Sequence, residues 1–167
     1  MFRPFVLLIA VNVAVAAPSL QVQFAAKARS GPVDGRLIVI VAASAEREPR
    51  FQVGWGADTA QIFGVDVDGL APGKAVVVDS SAAGHPLRSL SALPAGKYTV
   101  QAVINVYETV RRADGHVLKV PWDDGEGQQW NSKPGNLYST PRWVTLDPRR
   151  PETFQVALSE QIPPIPP

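Results

Sequence analysis

The chain has 167 residues, no cysteine, and 16 Lys+Arg against 15 Asp+Glu, a formal net charge of +1. This excludes disulfide staples, thiolate metal sites and a cysteine nucleophile, and it leaves no basic field to recruit nucleic acid or an anionic membrane surface. With 46% hydrophobic residues, the length suits one domain with a core of its own.

At the N-terminus Arg3 precedes an apolar run over residues 5–11, which continues past Asn12 to the small-x-small triplet Ala14-Val15-Ala16. The run is interrupted by Pro4 and Asn12 and is shorter than the roughly 20 apolar residues of a membrane anchor. Residues 1–16 therefore read as a signal peptide. Its removal takes Arg3 away and leaves 15 Lys+Arg against 15 Asp+Glu. An exported chain without cysteine fits a bacterial periplasmic or secreted setting, with no membrane contact after cleavage.

From there apolar residues recur with period two, and no helical stripe appears. Residues 20–24 alternate as a first strand. Residues 35–41, Gly-Arg-Leu-Ile-Val-Ile-Val, form a continuous apolar run, as expected of a strand buried on both sides. A charged break at 46–50 leads to short strands at 51–53 and 62–67. Asp68-Gly69 and Pro72-Gly73 mark turns before a strand at 75–79. In the polar stretch 80–94, Leu87, Leu90 and Leu93 are spaced by three and predict one helical turn over a sandwich edge. Residues 97–107 make the strongest strand, with Tyr98, Val100, Ala102, Ile104 and Val106 on one face. Asp114-Gly115 predicts a type I′ hairpin pairing 106–112 with 116–120. Strands at 142–146 and 153–158 follow, joined by a turn at 147–151. The proline-rich stretch 161–167 reads as a polyproline II linker or tail.

Seven to nine short strands with regular punctuation predict an all-β, immunoglobulin-like antiparallel β-sandwich over residues 17–160, with one long loop. Tyr98, entering its strand just after Gly96, fits a tyrosine corner, in which the phenol bonds back to upstream backbone.

Catalytic readings find little to stand on. There is no Gly-x-Ser-x-Gly elbow. His85 and His116 both fall in loops, without the oriented partners that a Ser-His-Asp site needs. Asp123, Asp124 and Glu126 crowd three carboxylates into four residues, but EF-type spacing is absent and the loop reads as solvated. No metal and no cofactor are expected. Trp122, Trp130, Tyr138 and Trp143 interleave with Gln128, Gln129, Asn131 and Asn136. Such indoles and amides either pack the loop or form a platform for glycan or protein. The candidate contact residues are Trp122, Asp123, Asp124, Glu126, Gln128, Gln129, Trp130, Asn131 and Tyr138, and no catalytic residue is assigned.

Several phrases carry a resemblance: Phe63-Gly-Val-Asp-Val-Asp-Gly-Leu70, Leu93-Pro-Ala-Gly-Lys-Tyr98, Gln101-Ala-Val-Ile-Asn-Val-Tyr107 and Arg112-Ala-Asp-Gly-His116. Gly125-Glu-Gly-Gln-Gln-Trp-Asn131, Pro134-Gly-Asn-Leu-Tyr-Ser139 and the closing Ile162-Pro-Pro extend it. Together they resemble the N-terminal immunoglobulin-like domain of bacterial secreted esterases of the enterochelin-esterase type, over about residues 33–165. In that family an α/β-hydrolase domain follows the Ile-Pro-Pro linker, where this sequence closes, so none of its catalytic residues carries over. The resemblance implies a non-catalytic accessory domain that docks a hydrolase. The alternative is a free-standing module recognising glycan or peptide through residues 122–138.

Overall fold

The computed structural model describes residues 17–166, so the expected signal peptide lies outside the described residues. Alternation at the first strand produces β1 (Ser19–Phe24), whose Leu20, Val22 and Phe24 point into the core. It lies in a three-stranded sheet between β10 (Thr153–Leu158) and β4 (Val76–Val78). On its outer face Gln155 Nε2 donates to Gln21 Oε1 at 2.6 Å, and the Ser19 and Thr153 hydroxyls lie 3.0 Å apart.

The opposing sheet is built on β2 (Val33–Ala42) and β6 (Gly96–Arg111). On one side of this pair lie β3 (Gln61–Leu70) and β5 (Ala83–His85). β7 (Val117–Val120), β8 (Leu137–Tyr138) and β9 (Arg142–Leu146) also pair with β6, and β11 (Glu160–Gln161) adds to β8. The all-β sandwich is thus present. Among the described residues it has eleven strands, more than the seven to nine expected, because two- and three-residue pairings outside the long strands add β5, β8 and β11. It also contains one parallel pair, β1 with β10, because the chain crosses between sheets after β9 and returns alongside its first strand.

β2 explains the apolar run of the sequence. Its Leu37, Val39 and Val41 face the small sheet together with Phe63, Val100, Ala102 and Ile104. Its Ile38, Ile40 and Ala42 face the other way, into a second cluster with Ala60 and Val103. Val53, Trp130 and Tyr138 cover that second cluster. Residues 43–60 and 130–138 therefore roof the large sheet, and this roof positions the candidate site.

Three local expectations change. Residues 51–53 are no strand. Pro49–Phe51 forms a 3-10 turn closed by Phe51 N→Glu48 O and Gln52 N→Pro49 O, both 2.9 Å, and Pro49 suits its first position, where φ is already helical and no N–H is needed. The Asp114-Gly115 hairpin is not type I′: in it only Gly115 has positive φ, and Arg112 N→His116 O (2.9 Å) closes a three-residue connection. The leucine spacing yields a single 3-10 turn, Leu90–Ala92, with Leu90 and Leu93 buried.

The Tyr98 hydroxyl donates to Pro94 O at 2.8 Å, which is the tyrosine corner. The proline-rich end is joined to the sheet at its start. Ile162 is buried, its N–H donates to Asn136 O, and its carbonyl accepts from Gly135 N, both at 2.9 Å. Among the described residues no helix is long and apolar enough to cross a membrane.

Candidate functional site: the 121–138 segment

Leaving β7, the chain passes Pro121 and presents Trp122, whose residue is 52% exposed. It then turns repeatedly through left-handed backbone at Gly125, Gly127, Gln128 and Gly135. Glycine accepts this conformation without cost, whereas Gln128 (φ 64°) is a non-glycine held there by its surroundings.

The three carboxylates are spent inside the loop. Asp123 Oδ1 accepts from Gly125 N at 2.9 Å and from Gly127 N at 3.2 Å. The Gly125 amide above all holds the Asp123 carboxyl below the usual aspartate range. Glu126 Oε2 accepts from Asp124 N at 2.8 Å. Asp124 Oδ2 accepts from Lys133 Nζ at 2.8 Å, and the Lys133 side chain is only 5% exposed. Among the described residues no three His, Asp or Glu side chains converge to hold a metal ion.

The second half of the segment is pinned to the body by side-chain amides. Fully buried Asn136 accepts from Val106 N at 2.8 Å through Oδ1. Its Nδ2 donates to Trp130 O at 2.8 Å and to Asn105 Oδ1 at 3.2 Å. Asn131 Nδ2 donates to Arg50 O (3.2 Å), and Arg50 Nη1 donates back to Asn131 O (3.0 Å). The Arg50 guanidinium lies 4.2 Å from the Tyr138 ring centre and 4.6 Å from that of Phe51, in cation–π contact with both. Its Nη2 donates to Glu48 Oε2 at 3.2 Å. Its Nε lies 3.0 Å from the other Glu48 oxygen, an ion-pair contact without hydrogen-bond geometry. Gln101 links Glu48 to the Ser139 carbonyl, 2.9 Å from its Nε2, and so ties the roof to β6.

The nine candidate residues thus separate into three groups. Trp130, Asn131 and Tyr138 belong to the roof over the second core. Asp123, Asp124 and Glu126 shape the loop. Trp122, Gln128 and Gln129 remain exposed at the surface. Trp143 lies elsewhere, on the exposed face of β9 under Lys97 Nζ, 4.9 Å from its ring centre. Sequence reasoning passed over Arg50 and Lys133, the two cations that fasten the segment. It also passed over Trp55, which is fully exposed between Gly54 and Gly56; the flanking glycines were the available signal.

Both histidines lie at the surface. His116 Nδ1 lies 3.1 Å from Asp114 Oδ1 on an open turn, with 73% of its side chain exposed, and His85 is exposed before Pro86. Comparison with protein-family models, with curated proteins and with solved structures finds no match for this chain.

Proposed function

We propose that the chain is a non-catalytic, exported β-sandwich module that docks an esterase-like hydrolase domain through the outer part of the 121–138 segment. One observation carries this reading: the carboxylates of the loop are consumed in fixing its own shape, while the Trp122 indole is left half-exposed. Reactive sites keep a base or nucleophile available, whereas a contact surface needs a rigid shape and an aromatic anchor. The tail supports the same direction, since Ile165 lies against Gly125.

The test is a calorimetric titration with a secreted hydrolase domain of the enterochelin-esterase type from the same genome. The expected result is one-to-one binding, weakened about tenfold or more by Trp122→Ala, as for an aromatic anchor. Unchanged affinity in Trp122→Ala, or ester hydrolysis by the purified chain alone, contradicts the reading.

A further inference from the structure

Beside the inner flank of the loop lies a cavity of about 480 Å³, walled in part by Arg29, Tyr107, Glu108, Asp124, Lys133 and Ile165. Its volume falls within the roughly 300–1,000 Å³ of small-ligand sites. Lys133 is the unusual member. Removing an ammonium from water is costly, so lysine is rarely buried without a full set of acceptors. Here Asp124 Oδ2 takes one of its three N–H groups. Among the described residues the Lys133 ammonium has no second hydrogen-bond acceptor, and Arg29 has no ion-pair partner.

Lys133 and Arg29 thus keep N–H groups that are unused among the described residues at the cavity wall. Glu108 and Asp124 balance their two charges, which disfavours a multiply charged anion. We propose that this cavity binds a small organic monocarboxylate, its oxygens bridging Lys133 Nζ and the Arg29 guanidinium and its apolar body lying against Ile165. Arginine is suited to this because its planar fork matches a carboxylate. The inference is independent of hydrolase docking, and its test contains no hydrolase.

The test is a two-dimensional NMR titration of the ¹⁵N-labelled protein with sodium benzoate, with benzamide as the uncharged isostere. Benzoate is expected to displace the amide resonances of Tyr107, Glu108, Lys133 and Gly135 and to saturate in about the millimolar range, as fits a ligand of so few atoms. Benzamide is expected to leave those resonances in place. Arg29→Gln, at a half-buried position outside the core, is expected to keep the spectrum of the fold while weakening benzoate about tenfold, the worth of one charge-assisted pair. Equal shifts with benzamide, shifts confined to other residues, or undiminished benzoate binding in Arg29→Gln overturns the proposal.

Discussion

At Tyr98 the ring packs against the core while the hydroxyl donates to Pro94 O at 2.8 Å. Tyr98→Phe keeps the ring and removes the donor, so urea unfolding is expected to show a loss of about 1 kcal/mol. Asp123 makes a second prediction at this scale. Its folded pKa is depressed, so its hold on the Gly125 and Gly127 amides is fully present above the usual aspartate range. That hold is lost as pH falls through the depressed value. The Gly125 amide resonance is expected to titrate below the ordinary aspartate midpoint, and to stop titrating in Asp123→Asn. A midpoint at or above the ordinary value contradicts the assignment. Residues differ in how far the sequence discloses them. Tyr98 was legible because its partner lies four residues away. The burial of Lys133 was not, because that cavity is also walled by residues 29, 106–108 and 164–165, which only the fold brings to it.

Among elements, β2 was the most legible, since a strand covered on both faces cannot alternate polar and apolar residues. The 3-10 turn at Pro49–Phe51 was the least, because Phe51-Gln-Val53 has a strand's composition and only the tertiary demands on Arg50 reveal its role. The segment 130–138 is held as a unit by Asn136. Asn136→Ala strands Val106 N–H and Trp130 C=O, together with the Asn105 amide oxygen, away from water. Each buried unmet group costs about 1–3 kcal/mol. Chemical denaturation is therefore expected to show a loss of about 3 kcal/mol, together with increased proteolysis between residues 121 and 136. An unchanged cleavage pattern would mean that the loop stands without this anchor. The nine candidate residues all fall between residues 122 and 138 in sequence, yet the fold separates them into roof, loop frame and surface. Periodicity cannot distinguish these fates in a glycine-rich loop, where left-handed turns at Gly125, Gly127 and Gly135 redirect the chain.

The molecule as a whole is a two-sheet sandwich with a second, smaller core outside it. The roof over that core comes from residues 130–138, within the one long loop that the sequence marked, and from residues 43–60, which the sequence marked as a charged break and a short strand. The proline-rich tail leaves the large sheet at Ile162 and brings Ile165 against Gly125 of the 121–129 loop. This arrangement supports the proposal that the loop is a contact surface for a hydrolase domain. Amide hydrogen exchange of the hydrolase complex tests it most directly. Added protection is expected over residues 121–129 and in the tail, with the small sheet β10-β1-β4 unchanged. Protection on the small sheet instead, or none anywhere on the chain at saturating hydrolase, would contradict it.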